Sequence, residues 1–454
     1  MTFTAALIAI SIIFVDCIFA ATNDMTIEQG IISNQRISQQ IQMKDGLFIS
    51  HGVDLIRKEL ILYGSSLTEI ALVGEQHFLF SGNSANISLL KIRFPVNDGY
   101  IIARIDKDSQ LVFKDNTIAG VLVVGNCFEI DGGKLLITNL KLEFKVSNVE
   151  RRVSNFVQFG KLGGYLEVRK TYLEGITIGG GKPLFGDERA TGISINNCQF
   201  KHVQIDKSEV ANKADTIIGS TNVNITSCTF IDVDNALIGG IVNGLNQNGK
   251  LSVIGSTFKN CTNTQYAINT TRQYSDRDSI ITGDAEFDDT NWKDCSSYNY
   301  GGALSFTGDG NLVIKNCKFS QCLSVGGKGG ALYVVGQGSH IIKDCKFVKC
   351  NTSYSQYAEG GSIYIEGGTN SVKELKIISS TAEVVDSLYA DNSDSTSRGG
   401  AIFVRNWQYG SYMKDITVKR SEAGIGGAIF IDSDSKRFEI KNSKFSNNLA
   451  NSGG

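Results

Sequence analysis

The chain has 454 residues, 41% of them apolar, and a net charge of −2. It can bury a large core, and it lacks the basic excess expected of a nucleic-acid binder. Its 49 glycines against two prolines, Pro95 and Pro183, suit tight corners between strands paired on both sides, where proline would remove a ladder donor.

Residues 1–20 hold an apolar run, Ala5 to Val15, closed by Ile18-Phe19-Ala20. This reads as a signal peptide, too short to span a bilayer comfortably; the bland alternative is a buried first strand or helix. Five N-x-[ST] sequons, at Asn86, Asn224, Asn260, Asn269 and Asn351, are possible glycosylation sites and agree with an extracellular or cell-surface location reached through secretion. Residues 21–60 read as an N-terminal cap, with the polar stretch Asn34 to Met43 expected to form a short helix.

From about residue 61 the chain repeats. Gly301-Gly302-Ala303-Leu304, then Leu312, Ile314, Cys317, Phe319 and Cys322, recur 28 residues on as Gly329-Gly330-Ala331-Leu332, then His340, Ile342, Cys345, Phe347 and Cys350. Within a unit the two-residue steps are a strand's alternation, and the three-residue steps turn a corner and point inward again. The expected fold is all-β: a single-stranded parallel β-helix of about 13 coils over 61–454, right-handed by the usual crossover preference. The central column is read as Ile92, Asn116, Leu140, Thr171, Cys198, Cys228, Ser256, Thr290, Cys317, Cys345, Leu375, Ile416 and Ser443. Two residues on stands an inward column: Phe94, Ile118, Leu142, Leu173, Phe200, Phe230, Phe258, Trp292, Phe319, Phe347, Ile377, Val418 and Phe445. Insertions at Asn243 to Lys250, Thr271 to Ser279 and Val384 to Arg398 are expected as surface loops.

Gly-Gly-[Ala/Ser]-[Leu/Ile] phrases at Gly301, Gly329, Gly360, Gly399 and Gly426, with Phe445-Ser446-Asn447-Asn448 at the end, resemble the repeats of polymorphic outer membrane proteins, within the pectin-lyase-like right-handed β-helix superfamily. Most of the FxxN phrases here have Cys or Val for Asn, as in Phe319-x-x-Cys322 and Phe200-x-x-Val203. The resemblance implies a surface-displayed, adhesin-like role. The superfamily also contains polysaccharide lyases and glycoside hydrolases, so an enzyme is the alternative. The richest acidic patch, Asp284, Glu286, Asp288, Asp289 and Asp294, lies along one coil, whereas hydrolysis needs carboxylates gathered about one groove. His51, His77, His202 and His340 stand in no motif. We expect no catalytic residues, no cofactor and no metal.

A binding surface is read from lysines. Lys315, Lys343, Lys373, Lys414 and Lys441 precede the central column by two; Lys318, Lys346, Lys376 and Lys444 follow it by one. They form either a solvated face neutralised by Asn316, Asp344, Glu374, Asp415 and Asn442, or a basic stripe for acidic glycans or other surface polymers. The expected function is a non-catalytic β-solenoid for adhesion, surface coat or glycan binding, attached to a membrane only through parts absent from the chain.

Eight cysteines form two columns, Cys198, Cys228, Cys317, Cys345 and Cys261, Cys295, Cys322, Cys350, with Cys127 apart. Stacked Cβ atoms about 4.8 Å apart exceed disulfide geometry, so free-thiol ladders are expected, with vertical disulfides or a four-cysteine metal site as alternatives. The end at Ser452-Gly453-Gly454 falls within the opening phrase of a further unit, so the chain is expected to be a piece of a longer protein.

Overall fold

The computed structural model describes the strands between Asp16 and Arg93 and, from Ile102 on, the following stretches: 102–119, 123–143 without 126, 152–178 without 155, 184–205 without 187 and 188, 218–239 without 221, 235 and 236, 249–263, 283–307 without 299 (308 and 309 also lie outside), 310–352 without 337, 358–367, 375–383, 396–407, 411–432 and 438–453. Among the described residues every regular element is a strand or turn, and every strand pair is parallel. The chain is a parallel β-helix. Each strand hydrogen-bonds to the strand one coil earlier and the one a coil later.

The longest sheet has sixteen strands, from Asp16–Ile18 to Glu439–Lys441, so the expected thirteen coils undercount it. The extra strands lie near the start, where Ser38–Gln42 pairs with Glu59–Tyr63. The helix expected over 34–43 is therefore a strand at Ser38–Gln42. Its polar side chains had masked a ladder that the backbone alone makes. Of the leader, only Asp16–Ile18 is described.

A second, narrow sheet of mostly three-residue strands runs from Tyr172–Glu174 to Lys444–Ser446. A third runs through Leu304–Thr307, Leu332–Gly336, Ile363–Gly367, Ile402–Arg405 and Ile429–Ile431.

The corner between the long and narrow sheets explains the three-residue steps. One residue per coil sits in the left-handed region there: Asn139, Asn197, Asp289, Asn316, Asp344, Asp415 and Asn442 among others, with Asn316 at φ 52°. Asn and Asp tolerate this conformation best after Gly. A single left-handed residue resets the in-out parity, so Ile314 and Cys317 both point inward. Its amide donates to the next coil, Asn316 N to Lys343 O at 3.1 Å, and Asn316 Nδ2 donates to Asp288 Oδ1 at 2.8 Å. In the Gly-Gly phrases the first glycine is left-handed, Gly329 at φ 59°. A Cβ on the second, Gly330, would stand 2.2 Å from the Gly361 carbonyl oxygen.

The inward file is as expected through Phe200, Phe230, Phe258, Trp292, Phe319 and Phe347, all buried, their rings stacked with centroids 4.5–5.6 Å apart. Two assignments are corrected. Phe347 pairs with Ala382, not Ile377, and Cys345 sits over Ser380, not Leu375; Leu375 follows His340 on the long sheet. Ile118 pairs with Ile92, so the register partner is Ile92; Phe94 lies outside the described residues. In each coil the long sheet also presents two inward residues two apart, five positions before the narrow sheet's pair, and the phases look alike.

Candidate functional site

The corner positions just inside the narrow sheet are filled by Cys, Ser and Thr, with Ile416 the exception, and share one hydrogen-bonded setting. Ser256 Oγ donates to Ile254 O at 3.1 Å, Thr290 Oγ1 to Asp288 O at 3.0 Å, and Cys317 Sγ to Lys315 O at 2.9 Å. The next coil's side chain in turn accepts from the amide above, as Cys228 N donates to Ser256 Oγ and Cys345 N to Ser380 Oγ. An S–H thus replaces an O–H in a buried ladder. The nine cysteines from Cys127 to Cys350 are free, as the ladder reading expected. No Cys, His, Asp or Glu cluster able to hold a metal occurs among the described residues.

Outward residues of the narrow sheet make its basic face. At positions 257–260, 291–294, 318–321, 346–349, 381–383, 417–420 and 444–447 stand Lys259, Lys293, Lys318, Lys346, Lys349, Lys419, Arg420 and Lys444, against the carboxylates Asp294 and Glu383. Lys318 and Lys346 are register neighbours, and both are exposed. Strand pairing is what brings Lys259, Lys293, Lys349, Lys419 and Arg420 onto this face. Reading by column had missed them, because they belong to other positions of the coil.

The two expected lysine stripes fare differently. The row through Lys315 and Lys343 continues through Ile378 to Lys414 and Lys441; Lys373 lies outside the described residues. Lys376 pairs with Ile341 and Tyr412 on the long sheet, so it leaves the second row, where Thr381 and Thr417 separate Lys346 from Lys444. The first stripe is neutralised locally: Lys315 lies 3.6 Å from Glu286, Lys343 3.8 Å from Asp344 and Lys414 3.8 Å from Asp415, and Lys441 pairs with Glu439. Lys318, Lys346 and Lys444 make no ion pair among the described residues.

At the N-terminal end of the same face, His202 stands between two carboxylates, Nδ1 3.1 Å from Asp232 Oδ2 and Nε2 3.8 Å from Glu174 Oε1. Glu174 accepts from the Tyr172 hydroxyl and lies 3.5 Å from Lys201; the Tyr172 hydrogen bond, aided by Lys201, holds its carboxyl below the usual range. No sequence motif marks this cluster, since its members lie on successive coils. His202 occupies a left-handed corner, φ 51°, in line with Asp232 and Asn260. His340 instead is a core residue, its ring edge-on to Phe306 and Trp407. His51 and His77 lie outside the described residues.

The acidic patch stays on one coil, with Asp284, Glu286 and Asp288 on the strand Gly283–Asp288, Asp289 at the corner and Asp294 after the narrow-sheet strand Asn291–Lys293. Asp284 is flanked by Lys250, Glu286 by Ser252 and Val313, and Asp288 by Ile254 and Lys315. Elsewhere Asp106 and Asp131 are register neighbours, but Arg104 lies 3.2 Å from the first and 3.9 Å from the second, and Asp131 also accepts from Leu162 N at 2.8 Å.

The outer face of the third sheet carries stacked rings, Tyr300, Tyr333, Tyr364, Phe403 and Phe430, with centroids 4.8–5.3 Å apart. Lys328 lies 4.6 Å over Tyr364 and 3.2 Å from Glu359; Arg405 lies 3.6 Å from Glu359 and 2.8 Å from Asp432. Tyr364 and Phe403 are fully buried and the rings spend their faces on one another, while Tyr300, at the end of the row, is exposed.

Of the sequons, Asn224 and Asn260 are exposed, and Asn260 donates to Asp232 at 2.8 Å. Asn351 is half-buried, Asn86 has a buried Oδ1 with no hydrogen bond, and Asn269 is outside the described residues.

No family model and no curated protein matches the chain. Among solved structures it is similar to the catalytic domain of a GH87 alpha-1,3-glucanase, at 11% identity and a TM-score of 0.31, covering 93% of this chain and 67% of that one. It is similar also to bacteriophage CBA120 tailspike protein 3, at 12% identity and 0.31, covering 94% and 60%, and to the Streptococcus pneumoniae surface protein and adhesin PfbA, at 10% and 0.22, covering 90% of each. Likeness of this degree is silent on activity.

Proposed function

We propose that the protein is a non-catalytic, extracellular or cell-surface β-solenoid that binds an acidic polysaccharide along the outer face of its narrow sheet. The observation that carries this is the nine-to-four excess of cations over carboxylates on that face, Lys201, Glu174 and Asp232 of its first strands included, in a chain whose net charge is −2. Coils about 4.8 Å apart hold these charges in a line on a rigid support, so an anionic chain meets them with little ordering of the protein. A low-dielectric wall behind the row strengthens its field. The non-catalytic reading is supported by the acidic patch, whose strand carboxylates Asp284, Glu286 and Asp288 have lysine, serine or apolar register neighbours on the adjoining coils.

The test is retention of the purified chain on immobilised acidic and neutral polysaccharides, with new reducing or unsaturated ends scored in parallel. Retention on the acidic polymers alone, lost between about 0.05 and 0.5 M salt, is expected. Reversing Lys318 and Lys346 to Glu should weaken it about tenfold or more, whereas reversing the ion-paired Lys343 and Lys414 should do much less. Equal retention on neutral polymers, or cleavage of any of them, would overturn the reading.

A further inference from the structure

The second thiol ladder, Cys261, Cys295, Cys322 and Cys350, is uneven at one end. Cys295, Cys322 and Cys350 are buried, whereas Cys261 is partly open to solvent. Its Sγ–H contacts to carbonyl oxygens, 3.6 Å to Lys259 and 3.7 Å to Phe230, match those of its ladder mates, 3.5 Å for Cys295 and 3.6 Å for Cys350, so exposure is what sets it apart. Directly beneath lies Cys295, in register: Ser296 N donates to Cys261 O at 2.9 Å, and Thr262 pairs with Ser296. Strands about 4.8 Å apart lie within the Cα range of a disulfide, and a small approach of the Cβ atoms completes it. Cys295 also takes hydrogen bonds from the thiols of Cys261 and Cys322, which hold its own thiol below the ordinary range; the same bond, with burial, raises the Cys261 thiol, so solvent at the open end of the ladder must take its proton.

We propose that Cys261 and Cys295 are an oxidant-sensitive pair within an otherwise inert ladder. A hydroperoxide transfers one oxygen to the Cys261 sulfur, giving the sulfenic acid and one molecule of the alcohol, or of water if the oxidant is hydrogen peroxide. The Cys295 thiolate then attacks that sulfur, the S–O bond breaks, and the oxygen leaves with a proton as water. The sum is two thiols and one hydroperoxide giving one disulfide, one alcohol and one water. Exposure selects the first sulfur, and the register selects the second. Cys322 stays hydrogen-bonded to Cys295 while the thiolate reacts.

The test treats the full, reduced chain with graded hydrogen peroxide, blocks free thiols, denatures and maps cysteine pairing by mass spectrometry. A disulfide joining Cys261 to Cys295 should form at least about tenfold faster than one joining Cys198 to Cys228 or Cys317 to Cys345. In Cys295→Ser the sulfenic acid at Cys261 should accumulate and be trapped by a cyclic 1,3-diketone; in Cys261→Ser the fast phase should vanish. Both variants should fold, because Ser421 already fills the same corner position, buried after the strand Thr417–Lys419. Another pair closing first, or a fast phase surviving in Cys261→Ser, would overturn the proposal.

Discussion

The rings of the early coils and those of the later coils fill the same tube in different ways. Phe113 meets Phe128 at 70°, Phe128 meets Phe156 at 63°, and Phe156 meets Phe185 at 84°, all edge to face. From Phe230 to Phe347 neighbouring rings lie within 8° of parallel. Phe113 rises from the long sheet and meets Phe128 from another wall, and Phe156 stands one position out of register with Phe128 and Phe185, whose partner on its coil is Val157; the later ones rise from one position of one wall and are held in register by the ladder. Order in the core thus follows from repetition of one position, not from aromatic content.

The largest expected contrast is alkaline. Burial raises the thiol of Cys127 in the early coils, and that of Cys322 and the phenols of Tyr333 and Tyr364 in the later ones. A pKa raised by folding means stability that is whole below the unfolded value and is lost as pH climbs beyond it, from about 8.5 for thiols and about 10 for phenols. With three such groups against one, the later coils should open first as pH passes from about 9 to 11. Hydrogen exchange mapped by coil would show it, and uniform opening would erase the contrast.

Next in size is removal of a ring. Trp292→Ala should cost about 5 kcal/mol, since the in-register ladder keeps Phe258 and Phe319 from closing the gap, and Phe156→Ala about 3 kcal/mol, since edge-on neighbours can turn into theirs. Equal shifts in urea unfolding would contradict that reasoning. Gly330→Ala places a methyl against carbonyls of two coils and should cost about 2–3 kcal/mol. Asn316→Ala should cost about 1–2 kcal/mol by the left-handed penalty and the lost bond to Asp288, while Asn316→Gly should cost less; thermal melts of the two would rank them. Smallest is Cys345→Ser, expected within about 1 kcal/mol of wild type by the same melts, since the hydroxyl inherits both hydrogen bonds.

The coil period and the file from Phe200 to Phe347 were legible because each inward residue recurs at nearly constant spacing, and the resemblance led to the same fold. The shift at Leu375 was not legible: 35 residues separate Cys345 from Ser380, and the long sheet's Leu375 and Ile377 mimic the narrow sheet's pair. The basic face was half legible. Lys318 and Lys346 share a column, but Lys259, Lys293 and Lys349 reach the face from other positions, and only strand pairing brings them together. The Glu174–His202–Asp232 cluster left no linear trace, because its members lie about one coil apart in coils of unequal length.

Because each coil rests only on its neighbours, the 28-residue identity of phase between Cys317 and Cys345 makes the length of the molecule a separable variable. Excising 318–345 would join Cys317 to Lys346-Phe347, reproducing the Cys317-Lys318-Phe319 junction letter for letter. The product would be one storey shorter, by about 4.8 Å, with Trp292 resting on Phe347 where it now rests on Phe319. Unequal crossing-over between such units would lengthen or shorten the rod without inventing a new contact.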